Sequence, residues 1–242
     1  MTDLTQFTQA LIEAHRTRSR FDPEGMALPA TRAEARALQA DVMATLGPVA
    51  GYKIGAQDEE VVTFAPIPQA RTHPSGATVT ARDRLAVELE VGFELVAPLP
   101  DGPLPEALQA YFRPRVALEL VDTRLTGARA SDPVLKLADF QLNEGLILGT
   151  GPENWDGQDF TTVTAQMTAN DTTVVEGPIT IPGGSALTSL RRCLRTLDAL
   201  GRRLDPGQVV ITGSLCGVPW FDKGTEVNTR IEGLGTAAVT ID

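Results

Sequence analysis

The sequence predicts an α+β protein in which a helical N-terminal segment leads into a β-rich body. Apolar residues recur at helical spacing before residue 50 and again near residues 185–200. From Gly51 onward the remaining chain is short β-prone runs separated by Gly, Pro, Asp and Asn. Nothing suggests alternating βαβ units, and neither GxGxxG nor a phosphate-binding loop is present.

The first helix is expected over residues 3–20, where Leu4, Phe7, Leu11 and Ile12 share a face. The second begins at the capping box Thr31-x-x-Glu34, carries Leu38, Val42 and Leu46 on one side, and stops at Gly47. Strands are expected at residues 78–80, 85–96, 116–121, 146–148, 161–168, 172–175, 209–212, 226–231 and 237–241, with Asn170-Asp171 as a hairpin turn. A short helix near 105–111 and a longer one over 185–200 interrupt them. The longer one has Leu187, Leu190, Leu194 and Leu197 as its stripe and Gly201 as its stop. The expected organisation is a helical segment, residues 1–50, and a β-rich catalytic domain, residues 51–242, joined as one unit.

Composition narrows the function. Of 242 residues, 42% are hydrophobic and 21% charged, as in soluble globular proteins. No apolar stretch approaches the ~20 residues of a membrane span. The start, Met1-Thr2-Asp3-Leu4-Thr5, lacks the basic and apolar run of a secretion signal, so a cytoplasmic protein without a membrane partner is expected. A net charge of −10 opposes nucleic-acid binding. Two cysteines, Cys193 and Cys216, and two histidines, His15 and His73, leave little material for a disulfide scaffold or a zinc site. Lysine occurs only at 53, 136 and 223.

The chemistry concentrates in carboxylates. In Ala86-Val87-Glu88-Leu89-Glu90-Val91 a strand would send Glu88 and Glu90 to one face. Glu119 sits inside the apolar run 116–121, where a buried carboxylate needs a partner or neutralisation. Together the three suit a hard, oxygen-seeking ion, Mg²⁺, Mn²⁺ or Ca²⁺. The plainer alternatives are a half-exposed strand for Glu88 and Glu90, and an ion pair with Arg124 or Arg115 for Glu119. Lys53 lies in Gly51-Tyr52-Lys53-Ile54-Gly55, whose glycines suit a ligand-facing segment or an ordinary turn. Thr212-Gly213-Ser214 follows a buried run and could hold a carboxylate or simply end a strand. Cys216 stands just beyond, as a pocket residue or a buried thiol.

Gly-x-Lys-Ile-Gly, Glu-x-Glu, Ala-x-Glu-x-Val-Asp-x-Arg, Thr-Gly-Ser-Leu and Ile-Glu-Gly-Leu-Gly occur in the order seen in bacterial 2-keto-4-pentenoate hydratases. The chain thus resembles the fumarylacetoacetate hydrolase superfamily from about Gly51 to its end, and the two leading helices fit the hydratase branch. The resemblance implies a mixed β-roll or β-sandwich body, a homo-oligomer, Glu88, Glu90 and Glu119 as ligands of Mg²⁺ or Mn²⁺, and Lys53 as the active-site lysine. It places Ile54, Gly55, Asp139, Thr212 and Ser214 among substrate-binding positions. Two departures stand out. The hydratase Asp-Phe-Gly segment matches residues 62–67 without its aspartate, after a short connection at 56–61. The family's Ala-Asp-Asn-x-Ser reads Ala138-Asp139-Phe140-Gln141-Leu142, an apolar pair in place of a polar, substrate-facing one.

The resemblance implies a small 2-oxo acid substrate. The expected reaction is hydration of a 2-hydroxy-dienoate through a metal-stabilised enolate, giving a 4-hydroxy-2-oxo acid. Decarboxylation, C–C hydrolysis and tautomerisation on the same site are its rivals, and a non-catalytic binding homologue is the alternative from another class.

Overall fold

The computed structural model describes residues 3–55 and 63–242 of the chain, so the expected short connection at 56–61 lies outside the described residues. Helix α1 (Thr5–Thr17) buries Phe7, Leu11, Ile12, Ala14 and His15. Helix α2 (Arg32–Leu46) opens on the expected capping box: Thr31 Oγ1 accepts from the Glu34 amide, and the Glu34 carboxylate accepts from the Thr31 amide.

The body contains β1 (Val49–Gly55), β2 (Thr63–Pro68), β3 (Thr72–Pro74), β4 (Ala77–Val79), β5 (Arg84–Leu95), β6 (Phe112–Val121), helix α3 (Pro133–Ala138), β7 (Asn143–Leu148), β8 (Thr162–Ala169), β9 (Thr172–Thr180), helix α4 (Ala186–Ala199), β10 (Val209–Ser214), β11 (Trp220–Asp222), β12 (Glu226–Ile231) and β13 (Gly235–Ile241). The helix expected near residues 105–111 is only a 3₁₀ turn, Leu108–Ala110.

Two mixed sheets form. The larger runs β2-β1-β10-β5-β6-β7-β3, with β11 also paired to β5, and the smaller runs β4-β13-β12-β8-β9. β1 pairs β10 in parallel and the long β5 and β6 are antiparallel.

The alternation along β5 organises the molecule. Leu85, Val87, Leu89, Val91, Phe93 and Leu95 all enter the main core, with Tyr52 and Ile54 of β1 and Val116, Leu118 and Leu120 of β6. The second sheet closes this core with Val227, Ile231, Val239 and Ile241, and α4 with Leu190, Leu194 and Leu197. Each such burial is worth roughly 1.5–3 kcal/mol. The opposite face of β5 and β6 therefore carries Glu88, Glu90 and Glu119. Helices α1 to α3 form a separate apolar cluster with Ala65 of β2, Leu125 and Phe140. Gln39 of α2 ties it to α3 by donating to the Leu137 carbonyl at 2.5 Å.

Candidate metal centre

Cross-strand register assembles the centre. Glu88 stands directly opposite Glu119 across β5 and β6, and Glu90 opposite Ala117. Parallel pairing sets Lys53 beside Ile211 on β10, the strand that also flanks β5. One oxygen from each of Glu88, Glu90 and Glu119 lies within 4.8 Å of the others. All three are buried: Glu119 has no exposure, Glu90 2% and Glu88 9%. The half-exposed strand expected as the plain alternative is thus corrected, because this face is covered. Neither arginine reaches Glu119 either. Arg115 pairs with Glu94 at 2.6 Å, and Arg124 with Asp139 at 2.5 Å and Glu144 at 2.9 Å.

Lys53 is the partner. Its Nζ donates to Glu119 Oε1 at 2.5 Å and to the Gln141 carbonyl at 3.1 Å. Its side chain is mostly buried, with 16% exposure. Burial alone would lower its pKa, but Glu119, Glu88 and Glu90 outweigh that and raise it. Burial pushes Glu88 up to about 7, aided by the charge of Glu119. Burial and both neighbouring carboxylates push Glu90 well above the usual range, against Lys53 and the Gly213 amide. Three carboxylates against one ammonium is an arrangement short of positive charge.

The remaining expected residues fall into two groups. Gly213, with φ at +118°, turns its amide to donate to Glu90 Oε2 at 2.6 Å. Gly55 sits opposite Thr63, where a Cβ would come within 2.1 Å of Thr63 Oγ1 and that hydroxyl would have to shift. Ser214 donates to the Gly217 carbonyl at 2.6 Å and lies 3.6 Å from Cys216 Sγ, which accepts from the Leu89 amide at 3.3 Å. Of these, Gly213 and Ser214 stand next to Glu90, which Ser214 faces across β10 and β5.

The side chains of Ile54, Thr212 and Asp139 are engaged within the protein. Ile54 alternates with Lys53 and so enters the main core. Thr212 is fully buried and its hydroxyl donates to the Val91 carbonyl at 2.9 Å. Asp139 is fully buried and occupied: Oδ1 accepts from Arg124 Nε, and Oδ2 from the Arg124 amide at 2.9 Å and Thr123 Oγ1 at 3.2 Å. Phe140, one of the two apolar departures, is fully buried in the helical cluster with its ring 4.8 Å from that of His15.

Asn143 is the residue that sequence reasoning missed. Its Nδ2 donates to Glu119 Oε1 at 2.9 Å. The turn delivering it, Phe140-Gln141-Leu142, has φ values of 53°, 52° and 65°, three successive left-handed residues without a glycine. An ion network, buried at Arg124 and Asp139 and reaching the surface at Asp83, holds this turn. Arg124 joins Asp139 and Glu144, Arg82 joins Glu144 and Asp122, and Arg20 continues to Asp83.

The donor set fits a hard divalent ion. Glu119 Oε2 is buried with no hydrogen-bond partner, the oxygens converge, and no sulfur or imidazole belongs to the group. A cavity of about 860 Å³ lies elsewhere, between the end of α2 and residues 202–209, and includes none of these carboxylates. Convergent chemistry, not volume, identifies the centre.

No family model matches the chain. Among solved structures it is similar to 4-oxalocrotonate decarboxylase from Pseudomonas putida G7, complexed with magnesium and adipate, at 20% identity and a TM-score of 0.79, with 98% of each chain covered. It is also similar to 2-hydroxyhepta-2,4-diene-1,7-dioate isomerase from Mycobacterium marinum at 15% identity and a TM-score of 0.54, over 80% of this chain and 75% of that one. Fumarylpyruvate hydrolase from Pseudomonas aeruginosa, in complex with Mn²⁺ and pyruvate, matches at 17% identity and a TM-score of 0.53, over 78% of this chain and 88% of that one. These likenesses establish the fold, helices leading a mixed β body.

Proposed function

We propose that this chain is a divalent-metal-dependent enzyme acting on a 2-oxo acid through its enolate, and that decarboxylation is its reaction. The observation that carries the reading is the convergence of Glu88, Glu90 and Glu119 with Lys53 bonded to the last of them. When bound, Mg²⁺ or Mn²⁺ would take the keto and carboxylate oxygens of the substrate and draw electrons from the C2 carbonyl.

The chain's own groups do the rest. Glu88, Glu90 and Glu119 would hold the ion. Lys53 has three N–H bonds and spends two, on Glu119 and on the Gln141 carbonyl. The third can donate to the oxygen where enolate charge gathers. A carboxylate positioned to send its bonding pair into that enolate leaves as carbon dioxide, and the Lys53 ammonium can supply the proton taken up on carbon. Hydration asks for more, because water addition needs a base. Among the described residues the carboxylates of the cluster would themselves be ligands, and no histidine hydrogen-bonds to them. The full-length likeness to a decarboxylase supports the same choice.

Hydration of a 2-hydroxy-dienoate is the second reading, favoured by the order of the five sequence motifs. The test is incubation with Mn²⁺ of a 2-oxo-enedioate and, separately, of 2-hydroxypenta-2,4-dienoate, following ultraviolet absorbance, product mass and carbon dioxide. Carbon dioxide from the diacid, lost in Lys53→Met and Glu119→Gln, is the expected result. A product heavier by one water from the monoacid would move the assignment to hydration. Metal binding without turnover of either would leave a binding protein.

A further inference from the structure

Glu119 is the most constrained of the three carboxylates, and the constraint is lopsided. Its Oε1 accepts Lys53 Nζ at 2.5 Å and Asn143 Nδ2 at 2.9 Å. A carboxylate oxygen offers about two lone-pair positions, so Oε1 is full. Oε2 is buried and has no hydrogen-bond partner. The amide orientation of Asn143 follows from this, since a carboxylate can only accept and the nitrogen must face it.

Asn143 is itself held from several directions. It has 1% exposure, its backbone pairs with Val121, and its carbonyl accepts from Arg124 Nη1 at 2.7 Å. Its Nδ2 also reaches the Gly145 carbonyl at 3.3 Å. It therefore occupies Glu119 Oε1 as a fixed group. Of the other two carboxylates, Glu90 has one oxygen engaged by the Gly213 amide.

We infer that Asn143 is a positioning residue that, with Lys53, restricts Glu119 to ligation through Oε2 alone and so sets the ion preference of the centre. One-oxygen ligation suits Mg²⁺ or Mn²⁺, which take a compact octahedral shell. Ca²⁺ uses about six to eight oxygens and gains from carboxylates that offer both. The inference rests on the metal reading above and adds the selectivity of that site.

The test is calorimetric titration of the chain with Mg²⁺, Mn²⁺ and Ca²⁺ alone, without substrate, in wild type, Asn143→Leu and Asn143→Ala. Leucine keeps the volume and removes the donor, and alanine carries the test should leucine not fold. Wild type is expected to prefer Mg²⁺ and Mn²⁺. The variants are expected to shift the Ca²⁺-to-Mg²⁺ ratio toward Ca²⁺ by about tenfold, the scale on which outer hydrogen bonds act on metal affinity. A purely structural role would weaken all three ions by one factor, and that outcome overturns the inference while leaving the metal reading intact. Wild type binding Ca²⁺ as tightly as Mg²⁺ overturns it also. Wild type binding none of the three removes both readings.

Discussion

Glu88 and Glu119 face one another across the β5–β6 ladder as a directly opposed pair. Two carboxylates in this position repel, and burial removes the water that would screen them. Burial first, and the charge of Glu119 second, push Glu88 up to about 7, which favours its protonated form below that pH in the metal-free chain.

Glu88→Gln should therefore stabilise the metal-free protein at neutral pH. A raised folded pKa means that the folded state binds more protons than the unfolded one between 4.5 and about 7. Stability from this group is present below 4.5 and is lost as pH rises through about 7. The variant should gain roughly 1–3 kcal/mol over wild type above that range and little at acid pH. Urea unfolding at several pH values measures it; parallel curves for the two proteins would contradict the raised pKa of Glu88.

Metal binding should release protons for the same reason. Wild-type affinity for Mn²⁺ is expected to fall as pH drops below about 7, where Glu88 takes up its proton. Calorimetry in buffers of differing ionisation enthalpy counts the protons. Glu119→Gln should weaken Mn²⁺ by at least about a hundredfold, and an unchanged affinity would remove Glu119 from the centre.

Arg124 has no exposure and joins Asp139 and Glu144. Arg124→Met leaves those carboxylates without it and should cost about 3–5 kcal/mol. Adding Asp139→Leu should recover part of the loss, because the uncompensated charge goes with it. Additive destabilisation in the double variant would show the pair to be uncoupled.

His15 is buried, and burial together with Arg124, Arg71 and Arg82 holds its pKa well below 6.5. The unfolded chain then takes up this proton first as pH falls. Stability from His15 is complete above 6.5 and declines below it, by up to about 1.4 kcal/mol per pH unit. This runs opposite to the Glu88 effect, so the comparison must be between wild type and His15→Leu. The substitution should flatten the acid limb; an unaltered slope would mean that another group governs it.

The period-two spacing of Glu88 and Glu90 by itself puts both on one face, and the capping box and Gly47 bound the second helix. What escaped the sequence has identifiable causes. β1 is interrupted by Gly51 and ends at Gly55, and β2 carries Pro66 and Pro68, so neither gives a clear strand signal. Helix α3 spans 6 residues, too few for a periodic signal. The bond from Lys53 to Glu119 depends on β1 pairing in parallel with β10 across 150 and more residues of chain, which no local pattern encodes. Asn143 was hidden because Phe140, Gln141 and Leu142 form a left-handed turn without the glycine that announces one.

The two-faced strand β5 has a bearing on misfolding. A slip of one residue in its pairing with β6 would exchange the faces and drive Glu88 and Glu90 into the core that now holds Val87, Leu89 and Val91. Each stranded carboxylate would cost several kcal/mol. The acidic cluster thus polices the assembly of the sheet: the carboxylates proposed to hold the metal also make its nearest mispaired neighbour costly.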